Sequence, residues 1–229
     1  MLKSPEREIL DVFGIPSAPG LRPRYNIAPS QEAAIVKTGP EGERELAMAD
    51  FGLVPNWADD PKVGYKMINA RGETVDRLPS FREAYRKRRC LVPTDGFFEW
   101  QMVDPSGKGP KQPFVIRKRD ETPFAFAGIH ESWRSKDGAR RIESFAIVTT
   151  AANRRLAPIH PRMPVVLSPK AWAKWLDPEE DGRPHLKPCP EDWLEPVMIG
   201  LAINRPANDD PSVLQPIERP ISPRQGCLF

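Results

Sequence analysis

The stretch PFVIRKRDETPFAFAGIHESWRSKDGARRIESFAIVTT, residues 113–150, decides the fold class. It holds three runs, PFVIRK, PFAFAGI and IESFAIVTT, rich in Phe, Ile, Val and Ala, whose alternation suits β-strands. The polar segment RSKDGAR parts the last two, and the loop DPSGKGP precedes the first. Strands joined this way form an antiparallel sheet. The longest proline-free run, 124–157, falls here, and every other gap between prolines is at most 17 residues. Proline breaks helix interiors. With 28 prolines in 229 residues, a long-helix bundle and a coiled coil are excluded. What remains is a compact chain of short strands, short helices and many loops.

Outward from the sheet, residues 32–37 and 45–54 read as strands around the turn GPEGE, and CLVP and GFFEW as strand pieces around a turn at Thr94–Gly96. Residues 163–167 give one more short strand. Three helices are predicted. The first covers 4–13, capped by Ser4, with Pro5 in its first turn and Ile9, Leu10 and Phe13 on one face. The second begins at Ser80 with Glu83 as capping-box partner. The third opens at Ser168-Pro169 and carries Trp172 and Trp175. Residues 55–79 read as mostly irregular, and the proline-rich tail as a surface wrap. No internal repeat, low-complexity block or linker divides the chain, so a single domain over 1–229 is expected.

A net charge of +3 is too mild to announce nucleic acid, although 22 of the 34 basic residues are arginine, which suits bidentate phosphate contacts. Three scattered cysteines, Cys90, Cys189 and Cys227, fit a reducing cytoplasm better than a disulfide framework. No run approaches the ~20 apolar residues of a membrane span, and the opening MLKSPERE has no signal-peptide core. His185 and Cys189 alone do not make a metal site. No Gly-rich phosphate loop is present, so neither a metal nor a nucleotide cofactor is expected.

Polar residues interrupt strong structural patterns in four stretches: 22–31, 55–75, 94–100 and 149–167. Glu99, between Phe98 and Trp100, is either an outward strand position or a carboxylate in an apolar pocket with a raised pKa. His160 is held by Pro158, Pro161 and Pro164. Read alone, it is a hydrogen-bonded loop histidine. Asn69 and Arg71 share a face if their segment is extended. Trp57 either stacks on a base or caps a core. Arg82, Arg86, Lys87, Arg88 and Arg89 form a phosphate-facing helix side or a solvated one.

Together these stretches carry a resemblance. The blocks RPRYNIAPSQ (22–31), GLVPNW (52–57), INARGETV (68–75), SFREAYRKRRCLVPTDGFFEW (80–100), FAGI (126–129), APIHPRMPVVL (157–167) and INRPANDDP (203–211) resemble the SOS response-associated peptidase (SRAP) family, from about residue 4 to about residue 217. The resemblance implies one α+β domain of antiparallel, barrel-like sheets with short peripheral helices. It also implies abasic-site sensing in single-stranded DNA by a monomer without cofactor, cytoplasmic and at the bacterial nucleoid during DNA damage. Family members remove Met1 themselves to expose a cysteine. Its amine attacks the ring-opened aldehyde of the abasic site to give a Schiff base. Its thiol then closes a thiazolidine ring, leaving a DNA–protein crosslink. By the same resemblance Asn69 orients the N-terminal residue and the aldehyde. Glu99 positions the amine and assists proton transfer, and His160 is the general acid/base on the sugar. Arg71 and Arg162 hold phosphates, and Trp57 with the Asn26–Pro29 turn shapes the strand groove.

Two departures stand out. Residue 2 is Leu, and the family's Cys-Gly-Arg-aromatic opening is missing, leaving the chain about five residues short on the family's first helix. Ala49-Asp50-Phe51 replaces a usual Arg-Trp pair, and Asp50 weakens local attraction to phosphate. Two explanations of Leu2 arise: a Met-Cys opening a few codons upstream of Met1, favoured by the intact Asn69, Glu99 and His160, or a pseudoenzyme that binds single strands non-covalently. As written, the Leu2 chain is expected to form no thiazolidine. A third reading makes Cys90, His160 and Asn69 a thiol hydrolase. Against it, the flanks of Cys90 suggest a buried, inert thiol.

Overall fold

A computed structural model describes residues 1–18, 20–104 and 109–221. Part of the DPSGKGP loop and all of the chain beyond residue 221, Cys227 included, lie outside the described residues. In chain order the elements are α1 (Glu6–Phe13), β1 (Glu32–Thr38), β2 (Arg44–Phe51), β3 (Asn69–Arg71), α2 (Arg82–Lys87), β4 (Arg89–Thr94), β5 (Phe97–Met102), β6 (Lys111–Arg117), β7 (Phe124–Arg134), β8 (Arg141–Ala151), β9 (Arg162–Pro164), β10 (Val166–Leu167), α3 (Pro169–Leu176) and β11 (Glu195–Met198). Short 3₁₀ turns cover Pro61–Lys66, Arg183–His185, Leu201–Asn204 and Pro211–Leu214.

Five strands close on themselves in the order β7-β4-β1-β2-β8, with β7 pairing β8 to complete the barrel. All neighbours are antiparallel except β2 and β8. The stretch 113–150 thus supplies the closing hairpin, from Gly128 opposite Ile147 to Arg134 opposite Arg141. β10, β3 and β9 extend this sheet, while β5, β6 and β11 form a second one. The expected mixed α+β class with barrel-like sheets is the architecture observed. No described helix is long and apolar enough to cross a membrane.

The period-2 alternation decides which side each residue serves. Ala34, Val36, Leu91, Ala127, Ile129, Ala146 and Val148 pack against Ile9, Phe13, Trp172 and Trp175 of the helices. Their chain neighbours Ala33, Ile35, Cys90, Val92, Phe126 and Phe145 face the other way and pack with Phe97, Ile116, Leu156 and Ile159. Phe13 and Trp172 stack at 4.7 Å between ring centroids, joining α1 to α3.

Several local expectations are corrected. Ser4 does not cap α1. Its hydroxyl donates to Asp95 Oδ1 at 2.6 Å, and Pro5 holds the cap position. The Ser80–Glu83 capping box is not formed, because α2 begins at Arg82 behind Phe81 with no side-chain cap. Residues 55–79 contain a 3₁₀ turn and β3. The arginine-rich segment is not one cationic face. Arg89 is buried and donates to the carbonyls of Trp175, Tyr85, Asp177 and Glu180, and Arg88 pairs with Glu131 at 2.6 Å.

Candidate active site

A cleft of about 560 Å³ opens beside the barrel, with apolar walls that include Phe51, Val92, Phe126 and Phe145. Met1, Asn26, Pro29, Asn69 and Glu99 line it. They arrive on four separate segments, Asn26 and Pro29 sharing one turn, and each segment has a reason to be there.

Met1 is placed by β-bridging and by one carboxylate. Leu2 exchanges backbone hydrogen bonds with Arg24 at 2.8 and 2.7 Å. Asp95, 1% exposed in the Thr94–Gly96 turn, accepts from the Lys3 amide, the Ser4 amide at 2.8 Å and the Ser4 hydroxyl. The Asp95 amide and the Thr94 hydroxyl donate to the Met1 carbonyl at 3.1 and 2.9 Å. The Met1 α-ammonium donates to Gly96 O at 2.9 Å, and burial pulls its pKa down to about 6.

Asn69 opens β3, a three-residue strand laid parallel to β8 with Asn69 opposite Ile147. No described residue bonds its side-chain amide, so donor and acceptor both stay open to a ligand. Arg71 ends the same strand, exposed, two residues on and therefore on the same face. Glu99 lies on β5 opposite Phe114, with about a quarter of its side chain exposed. Burial raises its pKa, and the nearby His160 opposes that rise. Its Oε1 stands 3.8 Å from His160 Nδ1.

His160 sits at the end of a tight loop closed by Ala152 N–H to Pro161 O at 3.0 Å. Buried Asn153 stitches that loop to Leu156 and to Cys189 O, and Gln101 of β5 donates to Pro158 O at 3.0 Å. The imidazole Nδ1 is 3.2 Å from the Arg162 amide and 3.0 Å from its carbonyl, so it accepts from one or donates to the other according to its tautomer.

The remaining expected residues divide. Asn26 and Pro29 line the cleft, but the Asn26 amide is spent within the protein, donating to Ile203 O and Arg205 O at 3.1 Å each. Trp57 is 60% exposed and does not line the cleft. The Arg162 guanidinium is already held by Glu73. Cys90 is completely buried in the barrel wall and its pKa is raised by burial, so it packs between strands rather than facing the cleft.

Sequence reasoning missed the residues that position the others. Asp95 in the Asp-Gly turn, Asp209 and Glu73 gave no signal beyond being polar. Asp209 accepts from Arg24 Nε and from the Tyr25 and Asn26 amides, the latter at 2.8 Å, and so pins the 203–211 segment to the Asn26 turn. Among the described residues no group of three or more His, Cys, Asp or Glu is placed to hold a metal.

The family model described as SOS response associated peptidase (SRAP) matches residues 1–206. The abasic site processing protein YoqW of Bacillus subtilis is 36% identical over 84% of this chain and 86% of its own length. YedK of Escherichia coli, which carries the same description, is 35% identical over 74% of this chain and 71% of its own. HMCES of Xenopus tropicalis, also named an abasic site processing protein, is 27% identical over 86% of this chain and 67% of its own. A crystal structure of a Bacteroides thetaiotaomicron protein superposes with a TM-score of 0.72 at 30% identity, covering 82% of each chain. With the family model spanning all five barrel strands, this chain belongs to the SOS response-associated peptidase family.

Proposed function

We propose that the chain recognises abasic sites in single-stranded DNA at this cleft. The observation that carries the reading is the convergence of Asn69, Glu99 and the N-terminal segment on one cleft, with His160 at 3.8 Å from Glu99, in a relative of abasic site processing proteins. The open amide of Asn69 offers a donor to the aldehyde oxygen. Glu99, whose pKa burial raises above the ordinary carboxylate value, suits proton transfer. His160 is positioned to exchange a proton with the deoxyribose, helping its ring open. Arg71 meets a flanking phosphate.

The covalent form of this reading needs an N-terminal amine and an adjacent thiol. The amine adds to the aldehyde and expels water to give an imine. The thiol then adds across the imine carbon, its proton passing to the nitrogen, and the thiazolidine closes. Leu2 supplies no thiol, and buried Cys90 and Cys189 cannot substitute. The chain as written therefore binds the lesion without a stable crosslink.

The test mixes the protein with single strands that differ only in one abasic site. Tighter binding to the abasic strand, with no heat-stable adduct, is expected. Grafting Met-Cys-Gly-Arg and an aromatic residue ahead of the chain should create the adduct, and Glu99→Gln in that graft should slow it at least tenfold, on the order of general acid–base effects. Equal affinity for both strands would leave a non-specific single-strand binder. A robust crosslink from the Leu2 form would sink the assignment of the thiol.

A further inference from the structure

Arg162 does not stand free for a phosphate. Its Nη1 donates to Glu73 Oε1 at 2.8 Å and its Nη2 to Glu73 Oε2 at 2.9 Å. The same Nη2 reaches Thr149 O at 2.7 Å and Thr149 Oγ1 at 3.1 Å. Nε is buried and has no partner. A guanidinium has five N–H groups. Glu73 takes two, Thr149 takes one, and Nε is sealed, so one Nη1 hydrogen remains. A two-pronged phosphate contact needs a pair of N–H groups side by side. In this arrangement only the edge that Glu73 occupies can supply them.

Glu73 is well placed to give way. Its side chain is about half exposed, whereas that of Arg162 is three-quarters covered. The turn carrying Glu73 is fixed independently, by Gly72 N–H to Thr149 O at 2.8 Å, so the carboxylate can swing out while its backbone stays. The Glu73 side of the pair faces water, so solvent can take over the carboxylate's hydrogen bonds when it swings out. Glu73 also lies two residues beyond Arg71, and its carboxylate interacts electrostatically with both arginines expected to meet phosphates.

We propose that Glu73 is a resident competitor for the Arg162 fork, occupying it in the free protein and yielding it to a DNA phosphate on binding. Glu73 thereby sets the affinity for single strands. A strand that offers only phosphates must first displace it, while one that also fills the cleft at a lesion has further contacts to offset the cost. The inference rests on Arg162 as a phosphate contact, as read above.

A double-mutant cycle tests it, with fluorescence anisotropy on a labelled, undamaged single strand at one fixed salt concentration. Glu73→Gln should bind about two- to fivefold tighter than the parent, the range set by exposed ion-pair energies. Glu73→Ala should give the same gain. Arg162→Gln should bind more weakly, and adding Glu73→Gln to it should change nothing. The inference is overturned if neither Glu73 variant binds tighter, or if the gain persists undiminished in the Arg162→Gln background, which would mark a general charge effect. Failure of the underlying reading looks different: the parent chain binds no single strand, or Arg162→Gln binds as well as the parent. In that case the competitor role falls with it.

Discussion

Glu99 carries its function at a cost to the fold, and the cost has a sign. Burial raises its folded pKa above the ordinary carboxylate value, against the pull of His160. The unfolded chain therefore gives up this proton more readily than the folded one, so stability falls as pH rises through the interval between the two values. Glu99→Gln removes the titration. The variant should melt higher than the parent near pH 7, and the difference should vanish near pH 3, below the ordinary carboxylate range of about 4. A variant less stable than the parent at neutral pH would mean that the His160 contact outweighs desolvation. Removing Asp95 is expected to destabilise the fold instead. It is nearly inaccessible and accepts three hydrogen bonds from Lys3 and Ser4. Asp95→Ala should cost about 3 kcal/mol in chemical denaturation, because buried donors left without partners cost about 1–3 kcal/mol each, and should loosen the N-terminal segment at the cleft. At this scale the sequence was half legible. Asn69, Glu99 and His160 could be named because the family blocks mark them. Taken singly, Glu99 and His160 favoured bland readings, since only the fold sets them 3.8 Å apart. Asp95 and Glu73 were illegible, because their partners lie 91 and 89 residues away in the chain.

Elements were legible where a periodic pattern ran long enough. β6, β7 and β8, seven to eleven residues long, were visible through their alternation, whereas β4 and β5, six residues each, showed only as strand pieces on either side of the Thr94–Gly96 turn. β3 was not. Three residues hold no period, and Asn-Ala-Arg has little β preference. What forms β3 is β8 beside it and a backbone clamp before it. Gly52, at φ 140°, and Gly64 touch backbone to backbone. A Cβ on Gly52 would lie 2.5 Å from Gly64 O, and one on Gly64 would lie 2.6 Å from Gly52 O. The clamp fixes the 3₁₀ turn 61–66, and Leu53 N–H to Met67 O at 3.1 Å continues it toward Ile68 and Asn69. Gly52→Ala should therefore cost about 2–3 kcal/mol, combining a left-handed backbone penalty with a backbone clash. It should also weaken abasic-strand binding more than Val12→Ala, a change on the exposed side of α1. Denaturant midpoints and strand affinities measured on the same preparations check both parts. Unchanged affinity in a folded Gly52→Ala protein would show that β3 holds Asn69 without the clamp.

For the whole molecule, the barrel predicts what its thiols can do. Cys90 sits in the wall between β1 and β7, against Gly128, where an added Cβ would come within 2.8 Å of its Sγ. Cys189 is buried under the Asn153 loop, and burial pushes its pKa up to about 12. The thiolate is the reactive form, so each raised pKa adds chemical protection to the steric kind. In a Cys227→Ser background, which removes the thiol outside the described residues, neither cysteine should react with a thiol reagent at neutral pH until the barrel opens. Cys90 lies on a central strand, so its exposure requires global unfolding, and its labelling should be slowed on the order of a thousandfold or more relative to the denatured chain. Cys189 lies on an irregular segment tied down by the Asn153 side chain, and should label first as denaturant rises. Stopped-time labelling with mass detection separates the two sites. Rapid modification of Cys90 in the folded protein would contradict its place in the wall and reopen a thiol-based reaction. Its protection would leave the cleft with no thiol among the described residues, so that a thiazolidine there would have to draw its sulfur from the N-terminal segment that Asp95 holds.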